Sequence, residues 1–167
     1  MYIIKDGALQ GNCQLTPTSY IPRYKTSGGR NYSCTIVQNS EFIRFSRTAN
    51  GSYENDRIYY YITKQGWESL GWSLQVGDII HYELKFTPYP EAQYSSQSFR
   101  FGLWNGSTSS DLSPVTTVVK NTAKTDHQLV VTSGTQGGHF WLIDFDSAGP
   151  SGTTSYLDIY NIWVERN

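Results

Sequence analysis

His81, Glu83 and Lys85 alternate with Ile80, Tyr82, Leu84 and Phe86, so a strand here carries an imidazole, a carboxylate and an ammonium along one face. Such groups beside an aromatic plane make the chemistry of sugar recognition. Charged and amide groups bond paired hydroxyls, and the ring stacks on the apolar C–H side of the sugar. In the next strand Arg100 and Trp104 fall outward while Phe99, Phe101 and Leu103 turn in. If the two strands pair, their polar faces join into one surface of His81, Glu83, Lys85, Arg100 and Trp104. Tyr89 and Trp104 stand at the edges of the neighbouring loops. The plainer reading is a solvated sheet face on which Glu83 and Arg100 merely pair.

A second set is Trp67 and Trp72, five residues apart around Gly71, with Tyr59 and Tyr61 upstream. Exposed, these rings form an edge platform for a ligand; buried, they cap a core. Trp141 and Trp163 lie between apolar neighbours and read as core. Paired carboxylates on a β-sandwich can hydrolyse glycans, and Glu83, Asp144, Asp146 and Asp158 are available. Nothing in their spacing brings two of them face to face at the required separation. His81, His127 and His139 lie in no nucleophile context and no Gly-x-Ser-x-Gly is present. The expectation is therefore a binding protein and not an enzyme. Cys13 and Cys34 read as two reduced thiols before one disulfide, and neither has a His at zinc-ligand spacing.

The elements that must position these residues are strands. Aromatic and β-branched runs bounded by Gly, Ser, Thr, Asn and Pro predict strands near 2–5, 32–38, 41–47, 57–63, 78–87, 97–104, 115–120, 126–132, 138–146 and 156–165. Residues 65–73 read as a helical turn or an irregular loop, because Gly66 and Gly71 weaken a helix. Residues 10–30 are poor in large aliphatics and contain Pro17, Pro22 and Gly28-Gly29. They read as an extended arm toward a partner or a loop covering a ligand. So many short strands predict an all-β fold, a sandwich of two antiparallel sheets. At 167 residues and 18.9 kDa the chain makes one domain, 1–167.

Charge narrows the partners. The formal net charge is −1, the pI is near 6.3, and the 13 basic residues are scattered. No nucleic-acid partner is expected. No apolar run approaches the roughly 18 to 20 residues that span a bilayer, so no membrane insertion is expected. Met1-Tyr2-Ile3-Ile4-Lys5 lacks the features of a signal peptide. The expectation is a chain assembled inside a host cell and released as part of a virion, or alternatively one cut from a secreted parent.

Three phrases carry a resemblance. The chain opens with a strand followed by Lys5-Asp6-Gly7, and closes with Tyr156-Leu157-Asp158 running into Asn161-Ile162-Trp163-Val164-Glu165. Between them lies Leu74-Gln75-Val76-Gly77-Asp78-Ile79-Ile80-His81-Tyr82-Glu83-Leu84. Together they resemble the carbohydrate-binding modules found beside bacterial xylanases and cellulases, and the relatives of those modules in bacteriophage tail and baseplate proteins. The resemblance implies a jelly-roll topology and a glycan as ligand. It also implies a structural calcium (Ca2+) where first and last strands meet, held by Asp158 with Asp6 nearby. The family's acidic residue after the glycine is replaced here by Ala8-Leu9-Gln10, and the alternative is that Asp158 is an ordinary strand residue. The function expected is that of a non-catalytic phage virion protein, a tail, baseplate or decoration component that binds host or mucosal glycans. It would dock on other virion proteins or on copies of itself. The rivals are an accessory polysaccharide-binding module of a secreted hydrolase and a purely structural virion protein.

Overall fold

The computed structural model describes residues 1–18, 33–48, 59–87, 98–104, 111–119, 121–133, 138–146 and 152–167. Among these run β1 (Tyr2–Lys5), β2 (Ala8–Leu9), β3 (Leu15–Thr18), β4 (Ser33–Gln38), β5 (Ile43–Thr48) and β6 (Tyr59–Ile62). The helix α1 (Lys64–Glu68) follows. Then come β7 (Ile79–Thr87), β8 (Ser98–Trp104), β9 (Asp111–Val119), β10 (Asn121–Val130), β11 (His139–Asp146) and β12 (Thr154–Glu165). No helix among the described residues is long and apolar enough to cross a membrane.

Every strand pairing is antiparallel. The main sheet runs β10-β7-β12-β1-β2, with β5 on the other half of the same edge of β12 and β4 beyond it. The second sheet runs β3-β6-β11-β8-β9. At one margin β9 leads through residue 120 into β10, and at the other residues 10–14 carry β2 into β3. The chain thus steps from the edge of one sheet to the edge of the other at both sides. The all-β expectation holds, but the main sheet is nearly closed and barrel-like, not one leaf of a clear two-sheet sandwich.

The core follows from parity. Ile80, Tyr82, Leu84 and Phe86 of β7 and Leu157, Ile159, Ile162 and Val164 of β12 are buried together with Ile43 and Phe45 of β5. Phe45 packs on Tyr60 of β6, 5.5 Å between ring centroids, which ties the main sheet to the second one. The thiol of Cys13 is free and buried, and burial pushes its pKa up to about 11, so it is protonated at neutral pH.

Of two expectations about irregular segments, one is corrected and the other is resolved. Residues 15–18, within the stretch read as an arm or covering loop, form β3 and pair with β6, with Pro17 opposite Tyr60. Among the described residues β3 pairs on one side only, which is where a strand tolerates a residue with no N–H. Residues 19–30 lie outside the described residues. Residues 65–73, read as a helical turn or an irregular loop, take the first form: α1 is started by Thr63, whose hydroxyl accepts the N–H of Gly66 at 3.1 Å.

The opening hairpin explains one glycine. Asp6 and Gly7 both have positive φ, 48° and 70°, the two-residue turn whose twist matches paired strands and which selects Asp-Gly. The Gly7 N–H donates to the Tyr160 carbonyl at 3.0 Å. A Cβ on Gly7 would lie 2.4 Å from the backbone nitrogen of Phe42. Gly7→Ala is expected to cost about 1–3 kcal/mol through φ strain and this clash, read as a lowered urea midpoint. A loss under a few tenths would show that the turn does not dock against β5.

Candidate functional site

The outer face of the main sheet carries several aromatic and charged side chains, and its geometry begins with a bulge. Along β12, Ile159 pairs with Leu84 and Asn161 with Glu83, so Tyr160 is an extra residue. Parity flips there. Tyr156, Asp158 and Tyr160 face outward before the bulge, and Asn161, Trp163 and Glu165 after it, while Leu157, Ile159, Ile162 and Val164 stay in the core.

Three linked groups result. In the first, the His81 ring stacks on Trp163 with centroids 4.4 Å apart and planes 9° from parallel. Trp163 leans on Tyr2 at 6.0 Å, and the Lys5 ammonium lies 5.5 Å from the Tyr2 ring. His81 Nδ1 is 2.9 Å from Asp126 and Nε2 is 3.3 Å from Glu165. Although it points away from the core, His81 is only 6% exposed, because cross-strand neighbours cover it on both sides.

In the second group the Asn161 amide donates a short hydrogen bond to Glu83, its oxygen accepts the Asp6 N–H at 2.8 Å, and Lys124 pairs with Glu83 at 3.0 Å. The same ammonium sits 4.6 Å from the centre of the Tyr160 ring, and Phe42 meets that ring edge-on at 5.3 Å. Burial raises the Tyr160 hydroxyl pKa, Asp158 adds to the rise, and Lys124 and Arg44 oppose it. In the third group Arg44 grips Asp158 with two hydrogen bonds, 2.6 and 2.8 Å. Its guanidinium lies 4.9 Å from the Phe42 ring and 5.1 Å from Tyr156. The Asp158 hydrogen bond holds the Arg44 pKa above its ordinary value.

The joined surface expected from β7 and β8 does not form. β7 lies between β10 and β12, whereas β8 lies between β9 and β11 in the other sheet. Glu83 and Arg100 are therefore not cross-strand neighbours; Arg100 stands opposite Asp144 and Thr117. The side chains of Arg100 and Trp104, and all of Tyr89, lie outside the described residues. Sequential strands need not be spatial neighbours once the chain crosses between sheets.

Of the two readings open for Trp67, platform or core, the second holds, while the reading of Trp163 changes. Trp67 is fully buried in the core and offers no platform. Trp72 is half-buried, its ring 4.4 Å from the guanidinium of Arg166. That arginine is committed below it, bonding both oxygens of buried Asp78, whose pKa it pulls down, and the Ser73 carbonyl. Trp163, read as core, instead faces outward. The Tyr59 and Trp141 side chains lie outside the described residues, and Tyr61 is half-buried.

The calcium expectation meets a competitor. Both oxygens of Asp158 accept from Arg44, and the carboxylate is 3% exposed. Asp6 enters this region through its backbone N–H. Among the described residues no group of three or more His, Cys, Asp or Glu could hold a metal ion.

Sequence reasoning missed Asn161, Tyr160, Arg44 and Lys124. The adjacent polar pair Tyr160-Asn161 in an otherwise alternating strand was the available signal, since two outward residues in a row require a bulge. Compared with known proteins, the chain matches no family model, no curated protein and no solved structure, so the reading of this face rests on its own residues.

Proposed function

We propose that the chain is a non-catalytic glycan-binding domain whose site is the outer face of the main sheet, with the topology of a jelly roll. The strand order supports the topology: with β5-β12-β7-β10 in one sheet and β6-β11-β8-β9 in the other, consecutive strands from β5 to β12 change sheets at every step but β8 to β9, as in a folded-over pair of Greek keys. One observation carries the binding reading. Five rings, those of Tyr2, Phe42, Tyr156, Tyr160 and Trp163, lie on this face among Lys5, Arg44, Lys124, Glu83 and Asn161.

Sugar binding uses both parts. The rings supply stacking surface, and Lys124, which lies over Tyr160, can move aside at a cost of about 0.5–1 kcal/mol. Once displaced, its ammonium and the Asn161 amide can bond hydroxyls. The carboxylates here favour binding over hydrolysis: Asp158 is held by Arg44, Glu83 by Lys124 and Asn161, and Asp126 by His81. A general acid or nucleophile needs a carboxylate open to the glycosidic oxygen or carbon. The setting we favour is a bacteriophage tail, baseplate or decoration protein, on the likeness of the two chain ends, with many copies turning weak single contacts into avidity.

Glycan-array binding followed by affinity gel electrophoresis tests the reading. The intact chain is expected to be retarded by at least one host or mucosal polysaccharide. Tyr160→Ala should weaken retention about tenfold, the loss of one stacked ring, with an unchanged circular dichroism spectrum. Loss on Trp104→Ala or Arg100→Ala instead would move the site to the second sheet. No retention by any glycan would leave the purely structural virion role.

A further inference from the structure

Where β2 passes into β3, residues 10–14 meet α1 and border an open cleft of about 310 Å³. Gly66 makes its floor. An added Cβ there would lie 3.4 Å from the Asn12 carbonyl and 3.5 Å from the Cys13 Cα, so the loop and the helix approach backbone to backbone. The walls are three carboxamides, Asn12, Gln14 and Gln65, and three hydroxyls, Thr16, Thr63 and Ser69. Among the described residues no charged side chain lines the cleft.

Two of the hydroxyls are already used. Thr63 accepts the Gly66 N–H at 3.1 Å, and Ser69 donates to the Gly66 carbonyl at 2.5 Å. These bonds fix the floor and the far wall. The side chains of Asn12, Gln14, Gln65 and Thr16 make no hydrogen bond to another described residue. They therefore present donors and acceptors together, three of the four as planar amides.

That set selects a class of ligand. An ion would enter without a counter-charge, and an apolar group would strand the amides away from water. Vicinal hydroxyls, each both donor and acceptor, match an amide that offers N–H and C=O side by side. The volume lies at the small end of ligand sites, about 300–1,000 Å³. We propose that this cleft is a second binding site, separate from the outer face of the main sheet, and that it takes a short neutral saccharide, such as a terminal or branching unit of an uncharged glycan. The proposal goes beyond the function assigned to the outer face, and the two stand or fall separately.

The test is a two-dimensional NMR titration of the intact ¹⁵N-labelled chain with maltotriose, cellotriose and triacetylchitotriose, and with trigalacturonic acid as a charged counterpart. The side-chain NH₂ signals of Asn12, Gln14 and Gln65 are expected to shift saturably with at least one neutral trisaccharide. The exposed pair Gln14→Ala/Gln65→Ala should weaken that binding about tenfold or more, two hydrogen bonds' worth. Tyr160→Ala should leave it unchanged. Silence of the three amide signals with every neutral probe, equal affinity in the double variant, or tighter binding of trigalacturonic acid would overturn the proposal. Shifts confined to Tyr160 and its neighbours would defeat the cleft while sparing the outer face, and shifts confined to the cleft would do the reverse.

Discussion

Replacing Trp67 by alanine is expected to lower the unfolding free energy by about 3–5 kcal/mol, the cost of emptying a fully enclosed aromatic site. The indole leaves no surface to solvent and is the largest fully buried side chain among the described residues. It reaches that core from a five-residue helix that would not hold together without it. Against a total stability of about 5–15 kcal/mol, the loss is enough to bring a domain close to unfolding at room temperature. Urea denaturation followed by far-ultraviolet circular dichroism reads it, with Trp67→Phe expected to lose markedly less. A loss under about 1 kcal/mol would mean that the ring does not support the core, and would return it to the role of an exposed platform.

Arg44→Ala is expected to cost about 2–4 kcal/mol, because it strands the Asp158 carboxylate. Breaking a buried pair from one side typically costs about 3–5 kcal/mol. The lower range applies because the Arg44 side chain is 40% exposed, so water reaches part of the site, whereas Asp158 is 3% exposed. Arg44→Lys should recover only part of the loss, since an ammonium cannot reproduce the two N–H bonds to Asp158 or the planar guanidinium beside Phe42 and Tyr156. Asp158→Asn removes the stranded charge and should cost less than Arg44→Ala. Thermal or urea unfolding of the three variants gives the ordering. Equal costs for Arg44→Ala and Arg44→Lys, both below about 0.5 kcal/mol, would show a solvated surface pair.

The same two sites show where sequence reading succeeds and where it stops. Alternation in β7 placed Ile80, Tyr82, Leu84 and Phe86 inward and Glu83 and Lys85 outward, and the burial pattern agrees. His81 keeps its outward parity yet is buried, because Trp163 and Asp126 close over it from neighbouring strands. Parity is a property of one strand, whereas cover is a property of its neighbours. The two tryptophans take opposite sides for a related reason. Trp163 has apolar residues on either side in sequence, but the bulge at Tyr160 turns it out. Trp67 has glycines nearby and the look of a loop residue, but α1 folds it under the sheets.

By itself the sequence determined the local terms: strands where β-branched and aromatic residues alternate, one contiguous core, and a surplus of rings and hydrogen-bonding groups for the wet side. Those follow from backbone sterics and from side chains two residues apart, both written in adjacent letters. Only the tertiary structure decided which strands lie together. It placed β7 beside β12 and β10 and moved β8 to the other sheet, so the surface that faces solvent combines residues 44, 83, 124 and 160 instead of 83 and 100. The physical reason is that every strand edge offers the same N–H and C=O groups to any partner. The choice among partners is made by how the whole chain closes its core, a sum over contacts distant in sequence that no single stretch contains.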